Sequence, residues 1–361
     1  MSEATALVVG ASGIVGRALL NHLDGLPDWN AVGVSRRPPE MRTTARLISL
    51  DVLDRNACFK AIAELPEITH VFYTAFVQKE TYAAEVEPNL TMLRNVVEAV
   101  ERACPKLRHV QIMQGSKWYG NHLGPYPTPA REDQPRHPFT HFYYDQQAWL
   151  SAHQRGKPWN WSALRPHGVW GFAVGGQINM MLAIALYASI MKHMGLPLIY
   201  PGKQGAFDAV YQCTEATHLA RGMVWAGTSR PAENEVFNLT NGDFIRWRHA
   251  WPVVARWFDM EVGGVQTFDL GTFMADKEPM WAEIQQKHGL RPYRMSDLTL
   301  WSAVSINMLN AEWDQMSSMT KARKAGWHEV NDTYEMIARQ FDLLARDRII
   351  PSATQYLRAA S

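Results

Sequence analysis

The sequence predicts an α/β protein: a doubly wound parallel sheet with a smaller, mostly helical cap. Short apolar runs alternate with longer stretches of helical period through the first half of the chain. Three glycines at GxxGxxG spacing, Gly10, Gly13 and Gly16, directly follow the first apolar run. At 361 residues the chain also exceeds the ~250–300 residues at which a single core stops growing, which calls for a second, smaller part.

Residues 6–9 read as a buried strand, and the helix at 15–22 starts inside the glycine turn. Further strands are expected at 31–34, 47–49, 70–73, 109–113 and 161–164, with helices at 55–63, 89–103 and 142–153. This alternation is the pattern of right-handed βαβ units. The proline- and charge-rich stretch 123–138 reads as a long loop over one end of the sheet, where loops commonly shape a site. Past Arg165 the alternation ends in a Met-rich apolar helix, 178–191, and a strand-like 198–200, while 235–241 reads as a strand rejoining the main sheet. From Trp247 the pattern is helical and rich in tryptophan. No repeat or linker divides the chain, so residues 1–175 with 209–243 are assigned to the sheet domain and 176–208 with 244–361 to the cap.

With 36 basic against 35 acidic residues the chain has no electrostatic footprint for nucleic acid or an anionic membrane. Cys58, Cys104 and Cys213 are widely spaced and form no CxxC, which fits structural thiols in a reducing compartment and no metal site. The apolar run at 178–191 is shorter than the ~18–20 residues that span a bilayer and contains Asn179. With no signal-peptide pattern, a cytoplasmic protein is expected. The exposed face of the Met-rich helix leaves a homodimer as open as a monomer.

The glycines sit where a strand turns into a helix, which is the dinucleotide-binding arrangement of the Rossmann fold. Gly10 permits the tight turn, Gly13 lets the backbone approach a pyrophosphate, and Gly16 lets the helix pack close. Ser12 and Ile14 fall between them, at a helix N-terminus whose N–H groups suit phosphate. Where an NAD-binding chain places an acid for the ribose 2′-hydroxyl, this one has Ser35, Arg36 and Arg37. Paired guanidiniums bind a 2′-phosphate, so NADPH is the expected cofactor. Asp51 and Val52 are placed to contact the adenine, with an ordinary strand end as the alternative.

Reductases of this class commonly use a Tyr-xxx-Lys pair, but the fourth residue after Tyr143 is Gln147 and after Tyr144 is Ala148. Two other segments supply the missing lysine. Gln114-Gly115-Ser116-Lys117-Trp118-Tyr119 resembles the TGxKHY motif, and His141-Phe142-Tyr143-Tyr144 the NFYYxxED motif, of the progesterone 5β-reductase/iridoid synthase family. The resemblance extends over nearly the whole chain, through Ser35-Arg36-Arg37-Pro38, Thr69 to Tyr73, Arg165-Pro166, Asn241-Gly242-Asp243 and Lys277-Glu278-Pro279.

It implies Lys117 and Tyr143 as the catalytic pair, with Tyr144 the fallback, and Arg165 and Pro166 beside the cofactor. Lys117 is expected to lower the phenol's pKa. Phe76 matches an aromatic pocket position, plain core packing being equally open; Tyr126, Gly168 and Met181 complete the expected pocket. The chain departs from the motifs at Gln114, His141, Gln147, Ala148 and Gly168, the last expected to remove bulk from the pocket and His167 to offer a polar group there. Apolar cap residues, Met180, Met181, Trp170, Phe172 and Phe207, point to a small apolar carbonyl or enone substrate. The implied activity is NADPH-dependent 1,4-reduction of an activated alkene. Carbonyl reduction by the same residues, a non-catalytic NADP-sensing regulator and a sugar-nucleotide epimerase are the rival readings.

Overall fold

The computed structural model describes residues 4–175, 178–301 and 309–352. The first residues of the expected cap segment, 176–177, and its end from 353 onward lie outside them.

Seven strands form one parallel sheet: β1 (Ala4–Val9), β2 (Trp29–Ser35), β3 (Arg46–Ser49), β4 (His70–Tyr73), β5 (His109–Met113), β6 (Asn160–Arg165) and β7 (Glu235–Asn238). Their order is β3-β2-β1-β4-β5-β6-β7. The chain winds outward from β1 to β3, returns to β4 on the other side of β1, and winds outward again. That reversal opens a crevice at the carboxyl ends of β1 and β4, the place where open α/β sheets bind ligands.

β1 shows why the sheet lies inside. Leu7 and Val9 pack on one face and Ala6 and Val8 on the other, and all four are buried. Helices α2 (Arg55–Ala63), α3 (Tyr82–Ala103) and α4 (Phe142–Gln154) cover the first face. Helices α1 (Ile14–Leu23) and α6 (Ala216–Thr228) cover the second.

α3 starts at Tyr82, about two turns earlier than the sequence predicts. Thr81 caps it by accepting from Ala84 N, and Pro88 lies within its length. Proline cannot donate to the Ala84 carbonyl. Beside the gap, the buried Asn89 amide donates to the Glu85 carbonyl at 2.7 Å and also pairs with both main-chain groups of Val77. The same side chain thus ties the helix to the loop after β4.

A second core holds the cap: α5 (Met180–His193), α7 (Trp247–Trp257), α8 (Glu278–His288) and α9 (Thr333–Arg346), packed with Trp170, Tyr200 and Tyr211. Every residue of α5 from Met180 to Met191 is buried. The helix therefore has no exposed apolar face there for a dimer to use. Met180, Met181 and Trp170 are core residues for the same reason, which removes Met181 from the expected pocket. Met319, Ala322 and Trp327, expected in the cap, instead pack against the α1/α6 face of the sheet domain. No described helix is long and apolar enough to cross a membrane, and the three cysteines are buried and unpaired.

Candidate active site

The glycine turn leaves β1 at Gly10, whose φ of +94° belongs to the left-handed region. A Cβ on Gly10 would stand 2.7 Å from Ala75 N, and one on Gly16 would stand 2.3 Å from the Gly10 carbonyl oxygen. Both positions are closed by the protein itself. Gly13 differs: a Cβ there would meet only the Gly10 carbonyl oxygen, at 3.4 Å. Gly13 is also the N-cap of α1, and no side chain caps that end. The cradle fits a pyrophosphate, with open space over Gly13 and free helix N–H groups beside Ser12 and Ile14.

At the end of β2 the backbone of the arginine pair is fastened from two sides. Ser35 Oγ donates to the Arg37 carbonyl at 2.8 Å and Ser49 Oγ to the Arg36 carbonyl at 2.9 Å. Both guanidiniums are exposed, and neither forms an ion pair among the described residues. Two fixed but uncommitted cations at this rim fit a phosphate monoester. Asp51 is exposed, its carboxylate accepting from Leu53 N. Val52 is buried, with its carbonyl taken by the Asn95 amide, so of this pair only Asp51 offers a side chain to the rim.

Lys117 and Tyr143 come from different elements and both sit within electrostatic reach of Glu85. Lys117 rides on a single 3₁₀ turn, Ser116–Tyr119, just past β5, and Tyr143 lies in the first turn of α4. His141 replaces a motif asparagine yet keeps the capping role, since its Nδ1 accepts from Tyr143 N at 3.2 Å. The Tyr143 hydroxyl packs against Gly115 and makes no hydrogen bond among the described residues. The Tyr144 hydroxyl is committed to the Trp118 carbonyl at 2.8 Å. The fallback tyrosine is therefore a packing residue.

The charges around this pair differ from the expected ones. Burial lowers the Lys117 pKa from the usual ammonium range, and its Nζ stands 5.0 Å from the Tyr82 ring centre. Tyr143 is pushed up, first by burial and then by Glu85 and Tyr82, where the sequence had led us to expect a lysine-lowered phenol. The phenol stays protonated and is a hydrogen-bond donor. Glu85, a buried carboxyl one turn past Tyr82 on α3, is itself raised by burial and restrained by the Lys79 N–H and by Lys117. The sequence reading missed Glu85. Its signal was its position on the apolar stripe of α3, four residues before Asn89 and eight before Leu93.

An aromatic and imidazole wall surrounds the pair: Tyr82, His122, Phe139 and His141 stand in ring contact with one another. Phe76 is 52% exposed and stacks on Phe142 at 6.0 Å, an apolar ring left facing solvent at the mouth of the site. Tyr126 joins the small cluster of Trp118, Tyr119, Phe139 and Tyr144. Gly168 opens no space, because the Tyr211 hydroxyl stands 2.1 Å from where its Cβ would be. Phe172 and Phe207 are only half-buried against the cap core. His167 is buried and neutral, its pKa pushed down to about 4 by burial. Arg165 does not reach the rim; its guanidinium is buried among Gln114, Tyr119 and Gln147.

Over residues 42–351 the chain matches the model of the PRISE-like Rossmann-fold domain. It belongs to that family. Among relatives of this PRISE-like chain is an (S)-8-oxocitronellyl enol synthase of Nepeta cataria, 32% identical over 97% of this chain and 94% of its own length. A 3-oxo-Δ(4,5)-steroid 5β-reductase of Arabidopsis thaliana is 30% identical, again over 97% and 94%. A short-chain dehydrogenase of Penicillium aethiopicum is 30% identical over 96% of this chain and 99% of its own. The UDP-glucose 4-epimerase of Thermotoga maritima shares the fold, with a TM-score of 0.66 at 14% identity over 94% of this chain and 99% of that one. The PRISE-like chain is an oxidoreductase of the short-chain dehydrogenase/reductase class.

Proposed function

We propose that this protein is an NADPH-dependent reductase of activated C=C bonds, acting on small, mostly apolar enones or enals. The observation that carries the reading is the Tyr143 hydroxyl: protonated, without a protein partner among the described residues, and held against Gly115 just past the carboxyl end of β5. Two relatives whose names describe a steroid 5β-reductase and an enol synthase support it. NADPH, when bound, supplies the hydride, which adds to the β-carbon of the enone. Tyr143 donates a hydrogen bond to the oxygen that becomes the enolate, and the Lys117 ammonium adds its charge. The enolate then takes a proton from water at the α-carbon, giving the saturated carbonyl compound. Gly13 and the N-terminal N–H groups of α1 would hold the pyrophosphate, with Gly10 and Gly16 shaping the turn, and Arg36 and Arg37 would hold the 2′-phosphate. Phe76 and the aromatic wall offer the conjugated system an apolar face.

The test is product identity. The protein is incubated with NADPH and a panel of cyclic enones, open-chain enals and ketones, and products are assigned by NMR and mass spectrometry. Saturated ketone or aldehyde is expected. Allylic alcohol as the sole product would overturn the reading in favour of carbonyl reduction.

A further inference from the structure

Two of the positions at which this chain departs from the family motifs, Gln114 and Gln147, meet Trp118 around one buried cation. Arg165, at the carboxyl end of β6, is 2% exposed. Its guanidinium carbon lies over Trp118, 3.6 Å from the ring centre. Its Nε donates to Gln114 Oε1 at 2.8 Å, its Nη1 to Tyr119 Oη at 3.1 Å and its Nη2 to Gln147 Oε1 at 3.1 Å. No carboxylate lies within ion-pair distance of it among the described residues. The nearby carboxyl that helps keep it charged, Glu132, is engaged by Asn238 N.

Each partner leads onward to one half of the catalytic pair. Gln114 Nε2 donates to the Tyr143 carbonyl at 3.3 Å and to Gln147 Oε1 at 3.1 Å, reaching two successive turns of α4. Tyr119 and Trp118 belong to the 3₁₀ turn that carries Lys117. Tyr119 Oη in turn donates to Asn238 Oδ1 at 2.7 Å, and the Trp118 carbonyl accepts from Tyr144. Next to Arg165 in sequence, the Pro166 carbonyl accepts from Ser116 N at 3.2 Å. The guanidinium is therefore the node between the Lys117 turn and the Tyr143 helix. A planar fork with fixed donor directions can hold two elements in register in a way that a flexible ammonium cannot.

Building on the reduction proposed above, we propose that Arg165 is a positioning residue for the reaction. With Gln114 and Gln147 as neutral acceptors and Trp118 as its stacking face, it sets the separation of Lys117 and Tyr143 and touches neither substrate nor cofactor. A site loosened by about 1 Å typically loses ~10²-fold in rate, so the clamp acts on kcat.

The experiment uses the full chain with an enone from the product panel, comparing Arg165→Lys, Gln114→Leu, Gln147→Leu and Gln147→Glu. Steady-state kcat and KM, NADPH binding by fluorescence and thermal unfolding are measured on each. Arg165→Lys and Gln114→Leu are expected to lower kcat ~10- to 100-fold while substrate KM and NADPH affinity stay within about twofold. Gln147→Leu loses kcat as well, and Gln147→Glu, which keeps the acceptor, restores it to within a few-fold. Wild-type kcat in both leucine variants, with only Tm lowered, would overturn the proposal, as would an equal loss of kcat and NADPH affinity. Amide exchange across residues 114–120 and 142–147 reads the clamp without turnover. Faster exchange confined to those segments in Gln114→Leu supports it, and unchanged exchange counts against it. Should the wild-type protein reduce no enone, the function reading fails, and the exchange result still decides the clamp.

Discussion

The Tyr143 hydroxyl lies 3.4 Å from the point where a Cβ on Gly115 would stand, so the width of this one glycine sets where the phenol ends. Gly115 is fully extended, with φ of −179°, a backbone any residue adopts. Substitution there tests space alone. Gly115→Ala brings a methyl into ordinary contact with the phenol and is expected to fold normally with kcat lowered by less than about tenfold. Gly115→Val pushes the ring aside and should cost ~10²-fold, similar to the ~10²–10³ expected for deleting the donor in Tyr143→Phe. Kinetics paired with Tm measurements check this, and a valine variant with wild-type kcat would refute it.

Glu85 makes a prediction about pH. Burial lowers the Lys117 pKa and the Glu85 carboxylate partly restores it, while the same carboxylate helps raise Tyr143. Removing that charge in Glu85→Gln lets both groups lose their protons at lower pH. The alkaline limb of the kcat/KM profile should therefore move toward neutral pH. A limb that stays in place, or moves to higher pH, would show that Glu85 does not act on the pair.

The fold was legible because its evidence is local. The apolar runs of β1 to β6 and the Gly10–Gly13–Gly16 turn each carry their own signal, and strand order then follows from few allowed topologies. Lys117 and Tyr143 were legible only through motif resemblance, since nothing in spacing joins a 3₁₀ turn after β5 to a helix more than twenty residues later. What stayed hidden depends on contacts across the sequence. Tyr211 fills the space over Gly168 from 43 positions away, and α5 is buried on every side by cap helices that come later in the chain. Gln114 and Gln147 stand as unrelated departures in the sequence, and only Arg165 joins them to each other and to Trp118.

The Gly168 site yields a paired test. At φ of +45° a side chain is strained, and a Cβ would stand 2.1 Å from the Tyr211 hydroxyl and 3.1 Å from its Cζ. Gly168→Ala should destabilise by more than the ~1 kcal/mol of backbone strain alone. Tyr211→Phe, which removes the clashing oxygen, should recover part of that loss in the double variant. Additive effects in a double-mutant cycle from urea melts would show that the two residues do not compete for this space.

The arginine pair predicts cofactor preference. Arg36 and Arg37 are exposed and free of ion pairs among the described residues, so replacing them disturbs little of the fold. Each charge-assisted hydrogen bond to a phosphate contributes ~1.5–3 kcal/mol. Arg36→Ala and Arg37→Ala are expected to raise KM for NADPH by ~10- to 100-fold and to leave KM for NADH nearly unchanged. Equal losses with both cofactors would move the 2′-phosphate away from these residues.

Buried histidines make the fold acid-labile, and the sign can be worked out. His70, His109, His141 and His167 are each less than 5% exposed. Burial pushes the pKa of His70 and His167 down to about 4 and that of His109 and His141 to about 3. Once unfolded, each takes a proton near pH 6.5 that the folded chain refuses until far lower. Their contribution to stability is thus complete above pH 6.5 and is lost as pH falls from there toward 4, at up to ~1.4 kcal/mol per pH unit for each histidine. The raised carboxyls of Glu85 and Glu132 act with the opposite sign but are outnumbered, since burial also holds down His122 and His218. Urea unfolding at pH 7, 6 and 5 should show stability falling by several kcal/mol, most steeply below pH 6.5. In His109→Gln, which can still meet Ser162 Oγ, the slope should shrink by one histidine's share. A slope equal to that of the wild type would mean that His109 is already charged in the folded protein.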